Sequence, residues 1–197
     1  MSTTDLYAEL LITGTGTVIW LGFLAAAFVR PSLQDLVSNT NLLTLAPIIG
    51  VAYVLGIIVD RLGYSIFAGP EKRLRSRTFG EESSPLFSEK THFILTHSDE
   101  LSRQMAYNRS RLRVCRAWSL NFFLMGVTAG IWVYSANMVS LLPLPLISMG
   151  LGVAALITWR KLAIDYYRNV QSSYAFLKVE DPAVSSVGGK IARPAGE

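Results

Sequence analysis

Four apolar stretches constrain this chain more than any other feature, because each approaches the roughly 20 residues that a helix needs to cross about 30 Å of hydrocarbon. The first runs from about Leu6 to Val29, interrupted by Glu9 and a few Thr and Gly. The second runs from Leu42 to Val59, with a continuation through Gly63 and Tyr64 to Phe67. The third, Trp118 to about Met138, and the fourth, Leu141 to Trp159, are separated by little more than Val139-Ser140, which predicts a hairpin with a minimal loop. Only 16% of the residues are charged and 51% are hydrophobic, whereas soluble chains carry about 25% charged residues. A soluble globular enzyme is therefore disfavoured. Several of Trp20, Trp118, Trp132, Tyr134 and Trp159 fall near predicted helix ends, where amphipathic rings favour the headgroup layer.

Cysteine usage narrows the class further. One cysteine, Cys115, cannot close a disulfide within the chain, and together with two histidines it leaves too few soft ligands for a structural zinc site. The segment before Ala25-Ala26-Ala27 carries Asp5 and Glu9 but no basic side chain, so it is expected to be a retained helix and not a cleaved signal.

Basic residues set the expected orientation, since Lys and Arg concentrate on the cytoplasmic side. Of the 18 Lys and Arg, one lies between the first two stretches, eleven lie from Arg61 to Arg116 and six follow Trp159. The loop between the last two stretches has none. Four spans put the central segment and both termini on one side, so parity and charge agree on cytoplasmic termini in a bacterial inner membrane.

The spacing of Gly and Pro organises the remainder. Neither occurs from Ser98 through Met125, and Thr96 with Asp99 has capping-box spacing, so a helix is predicted to start near Asp99 and run unbroken into the third span. Arg160 to Val179 is likewise uninterrupted and predicts an extension of the fourth span. Gly69-Pro70 and Gly80 through Pro85 predict an irregular linker with one or two short elements. The expected architecture is an all-α membrane protein with four transmembrane helices, the third and fourth extended into the cytoplasm. Its expected parts are a transmembrane hairpin (1–60), a basic cytoplasmic segment (61–116), a second transmembrane hairpin (117–159), a cytoplasmic helix (160–180) and a disordered tail (181–197).

Three constellations are candidates for function. An ionisable residue inside a span is a functional candidate, and at 100° per residue Glu9, Thr13 and Thr17 share one face of the first helix with Gly16 and Trp20. Repeated around an axis, that face would line a cation path. The alternative is a carboxylate near a helix start with threonines bonding their own backbone. Gly126 and Gly130 form a GxxxG and Asn121 can bond between helices, which points to tight packing within or between chains.

Arg109, Arg113 and Arg116 form a stripe at i, i+4 and i+7, and Lys72, Arg73, Arg75 and Arg77 form a second cluster. Guanidinium groups at this spacing suit phosphates, so a nucleotide or oligonucleotide is one expected ligand and lipid headgroups the other. Tyr107, His97 and Phe93 could offer stacking faces, whereas Tyr166, Tyr167, Tyr174 and Phe176 read as packing residues. Asp60 beside Arg61 reads as an ion pair. No cofactor is expected, and with both histidines outside the spans an intramembrane hydrolase has no base.

In layout, four spans, negligible outer loops, the arginine-rich run Arg109-Ser110-Arg111-Leu112-Arg113 and a helix continuing from the last span resemble the small membrane effectors of bacterial anti-phage systems. The plan is most similar to Hailong-type channel effectors, and the Kiwa membrane effector is another four-span example. Over residues 6–179 the resemblance implies a homo-oligomeric ion channel, held shut by single-stranded DNA oligomers. The competing expectation is a membrane scaffold that recruits a soluble operon partner while its basic residues hold lipid.

Overall fold

The computed structural model describes residues 3–29, 42–80 and 83–180; the first interspan loop and the tail predicted to be disordered lie outside them. The described residues form five α-helices and one short 3₁₀ turn: α1 (Thr3–Val29), α2 (Leu42–Phe79), α3 (Ser83–His97), α4 (Asp99–Ser135), the turn Val139–Leu141 and α5 (Pro143–Glu180). Four of these, α1, α2, α4 and α5, are long and apolar enough to cross a membrane. The protein is an all-α membrane protein. Large apolar side chains such as Ile48, Val51, Val54, Ile58, Leu146, Ile147 and Ile157 are exposed along α2 and α5. Such a surface is far larger than water tolerates on a soluble chain.

Helix ends follow local chemistry. The Gly69-Pro70 pair, expected to open a linker, lies inside α2, which continues to Phe79. Both residues are exposed, so water or neighbouring polar groups can satisfy the carbonyl that Pro70 leaves without a donor. α2 stops at Gly80, whose φ of +82° is the left-handed conformation that glycine adopts without steric cost; its N–H donates to the Ser76 carbonyl at 2.9 Å. α4 begins at Asp99 as expected, but the capping hydroxyl is Ser98, which accepts from the Leu101 N–H at 3.3 Å. Thr96 instead donates back to carbonyls of its own helix. The hairpin between α4 and α5 turns through Asn137 at φ 55° and Val139–Leu141. Pro143 and Pro145 then occupy the first turn of α5, where a missing N–H costs nothing.

The chain divides into two compact units. The membrane unit holds residues up to 70 with Ser110–Leu162, and the second unit holds Glu71–Arg109 with residues from Ala163 onward. Residues 61–70 and 110–116, expected in the basic segment, therefore group with the apolar helices. The reason is packing: Phe67 meets Trp159 edge-on at 4.8 Å between ring centroids, and Gly63 lies beside the Arg116 stem.

Within the membrane unit, α1 and α2 touch at the backbone. A Cβ on Gly14 would overlap the Ala52 carbonyl, and one on Gly56 would overlap the Leu10 carbonyl. Glycine permits that approach, and dispersion gained along the contact holds helices together where hydrophobic burial drives nothing. Gly126 of α4 receives α5, where an added Cβ would lie 2.6 Å from Met149 Cγ. Its GxxxG partner Gly130 has only Pro145 nearby, at 3.9 Å. The motif is thus used inside the chain. The Ser119 hydroxyl completes the α4/α5 contact by donating to the Gly152 carbonyl at 3.1 Å.

In the second unit, α3 packs with the basic end of α2, the start of α4 and the end of α5. Ile94 and Val170 are fully buried, with Leu74, Phe79, Met105, Tyr166 and Tyr167 around them. Aromatic edges meet aromatic faces throughout this core, from Phe79 and Phe87 to Tyr166 and Tyr167.

Candidate functional site

The polar face of α1 lies inside the membrane unit. Thr13 and Thr17 are buried, and Asn121 of α4 is fully buried between them. The Asn121 amide donates to the Thr13 carbonyl at 2.8 Å, and its side-chain oxygen accepts from the Thr17 hydroxyl at 3.2 Å. Gly16 admits the amide, since a Cβ there would come within 2.7 Å of it. Asn121, singled out for interhelical bonding, makes its bonds within the chain.

One turn and more toward the N-terminus, the seam becomes charged. Glu9 accepts a hydrogen bond from the Ser110 hydroxyl and lies 3.9 Å from the Arg113 guanidinium. Asp60 of α2 lies 3.3 Å from Arg116, which is 7% exposed and also stands over the Tyr64 ring at 5.5 Å. Asp60 therefore pairs with α4 and not with its neighbour Arg61. A narrow cavity of about 10 Å³ for a water's centre is lined by Glu9, Leu10, Thr13, Asp60, Arg113 and Val114; that is about the least space that admits one water. Two carboxylates and two guanidiniums balance in charge. Balance is what a medium of low polarity demands, because an unpaired ion there costs several kcal/mol.

The predicted arginine stripe is thus divided. Arg113 and Arg116 face carboxylates in the membrane unit, whereas Arg109, in the second unit, donates to the Tyr166 hydroxyl at 3.2 Å. Arg75 stands over the Phe87 ring at 5.7 Å. Lys72, Arg73 and Arg77 are exposed on α2. Lys90, which the sequence reading passed over, stands over both Phe79 and Tyr174 at 5.2 and 5.3 Å. Both ion pairs among the described residues belong to the membrane unit.

The expected stacking faces are largely occupied. His97 stacks on Phe93 at 4.1 Å and places its Nδ1 2.9 Å from the Phe93 carbonyl. Phe93 also meets the edge of Tyr174. Tyr166 and Tyr167 are packing residues, as the sequence indicated. Tyr167 lies beyond the apolar stretch of α5 and donates to Glu71 at 3.2 Å. Burial, then the adjacent Glu71 carboxylate, push its phenol well above the usual range, so it remains a donor. Among the described residues no group of three His, Cys, Asp or Glu side chains could hold a metal ion.

Ser110, Lys90, Gly14 and Gly56 are the participants that sequence reasoning missed. A Gly-x-Gly before an apolar run carries no sign of its crossing partner, and a serine between arginines carries no sign of a carboxylate one hundred residues away. Comparison with family models, with curated proteins and with solved structures finds no match.

Proposed function

We propose that the protein is the subunit of a homo-oligomeric, non-enzymatic ion channel effector of the bacterial inner membrane, with cytoplasmic termini. An anionic ligand, nucleotide or oligonucleotide, controls it at the basic second unit. The observation that carries this reading is the buried polar seam of Glu9, Thr13, Thr17 and Asn121 inside an otherwise apolar bundle. Apolar packing would be cheaper to build, so polar groups retained at this depth favour a path for ions or protons. In the described conformation Asn121 and Arg113 fill the seam, which is the arrangement of a shut state. Opening would separate the polar face of α1 from α4, and a ligand could drive this only by binding one state more tightly. The setting in anti-phage defence rests on the resemblance in layout.

The test is current across lipid bilayers containing the purified protein, with and without anionic ligands. The reading expects discrete conductance under at least one condition and altered cation selectivity in Glu9→Gln. Silence under every condition overturns it.

One observation favours a second reading, a scaffold that recruits a soluble partner. Arg113 and Arg116 are engaged by carboxylates of their own unit, which leaves fewer cations for a ligand, while Leu95, Phe176 and Val179 are exposed on the second unit. A silent protein that still captures a partner through those side chains would establish it.

A further inference from the structure

The cations of the second unit differ from those of the membrane unit in what holds them. Arg75 lies over Phe87, Lys90 over Phe79 and Tyr174, and Arg109 against the Tyr166 hydroxyl. These rings form one contiguous cluster, with Phe79 5.6 Å and Tyr166 6.2 Å from Phe87 between centroids. None of the three cations has a carboxylate within ion-pair distance among the described residues. The nearest acid on the same helix as Arg75, Glu71, accepts from Tyr167.

A ring face attracts a cation but neutralises none of its charge. An incoming anion would therefore break no ion pair to reach these groups. Two further atoms point the same way. Arg75 Nε is buried and has no hydrogen-bond partner, and so is the hydroxyl of Thr91, a residue 8% exposed that lies one turn beyond Phe87 on α3. Buried polar atoms are nearly always satisfied, so two orphans beside one ring indicate an acceptor that the protein itself does not supply. The rings pack edge-to-face against one another and carry the cations on their faces, so they leave little for a base to stack on.

We infer that Arg75, Lys90 and Arg109, with the Thr91 hydroxyl, form a site for a phosphate group, recognised by its charge and its acceptor oxygens and not by an attached base. This inference deepens the ligand-controlled reading above and takes its ligand class from it. The same phosphate chemistry is found in a lipid headgroup and in a free phosphate compound.

The experiment measures binding of inorganic pyrophosphate to the full chain in phosphatidylcholine nanodiscs by calorimetry, with no current recorded, so a failed channel reading and a failed site remain distinct. Wild type is expected to bind, and Arg75→Gln and Arg109→Gln each to weaken binding tenfold or more. Arg73→Gln/Arg77→Gln removes as much charge from exposed positions on the same helix and is expected to weaken it less than threefold. Arg109 is exposed, so its variant stays informative if Arg75→Gln fails to fold. Repeating the titration in phosphatidylglycerol nanodiscs separates the sources. A tenfold weaker apparent affinity there assigns the site to lipid headgroups, and an unchanged affinity assigns it to a free phosphate compound. No binding, or equal losses in the cluster variants and the exposed pair, overturns the site.

Discussion

Arg116 in the membrane unit ends 3.3 Å from the Asp60 carboxylate and is almost wholly buried, whereas Arg75 in the second unit ends over the face of Phe87 with no carboxylate beside it. The same residue type, on helices that each pass through both units, is handled by two chemistries. Where the surroundings are apolar a guanidinium must be matched by a full negative charge, because the cost of desolvating it exceeds anything a ring can return. Where water is near, a ring face suffices, and the cation keeps its charge for something else. A basic run in a sequence is therefore not one feature. Its members become structural or available according to which unit folds around them.

That comparison can be broken most severely at Arg116. Arg116→Leu leaves Asp60 unpaired and is expected to destabilise the protein by about 3–5 kcal/mol, while Asp60→Leu/Arg116→Leu loses much less. Unfolding in mixed detergent micelles measures both. A single-variant loss under about 1 kcal/mol would mean that the arginine sits in a wetter place than its burial indicates. At the helix crossing, Gly14→Leu forces α1 off α2 and is expected to cost about 3 kcal/mol or more, since overpacking displaces backbone there. Gly150→Ala, at a position with open space around it, is expected to be neutral or stabilising by up to about 1 kcal/mol. The same unfolding assay separates the two, and equal effects would refute the close crossing.

The looser pair sharpens the contrast within the membrane unit. Arg113 and Glu9 are 3.9 Å apart with side chains 31% and 17% exposed, so Glu9→Gln is expected to cost about 1 kcal/mol, well below the Arg116 variant. The smallest effect belongs to the second unit. Lys90→Gln removes a cation from two ring faces and is expected to cost about 0.5–1 kcal/mol. A loss as large as that of Arg116→Leu would show that the ring-held cation is a structural element and not an available one.

Much of this architecture is legible in the sequence because hydropathy and the absence of Gly and Pro report on one helix at a time. The four spans, the start of α4 at Asp99 and the continuation of the fourth span to Glu180 all follow from such local signals. Gly69-Pro70 misleads for an equally local reason: proline ends a helix only where its missing bond cannot be replaced, and here both residues are exposed. The site is less legible. Helical spacing aligns Arg109, Arg113 and Arg116 correctly, yet which acid faces which arginine depends on α1 and α2, and Glu9 lies about one hundred residues away in the chain. Thr13 and Thr17 share a face as their spacing requires, but the sequence does not name Asn121 as the group that fills it. The cation–ring contacts of Arg75 and Lys90 depend on how α3 and α5 dock, which no pattern within either helix encodes.

The most direct test of this division is arginine footprinting with phenylglyoxal, read by mass spectrometry on the full chain in nanodiscs with and without pyrophosphate. The account predicts that Arg75 and Arg109 react and are protected by pyrophosphate, whereas Arg113 and Arg116 react slowly and are unaffected by it. Fast labelling of Arg116, or protection shared equally by all four, would contradict it.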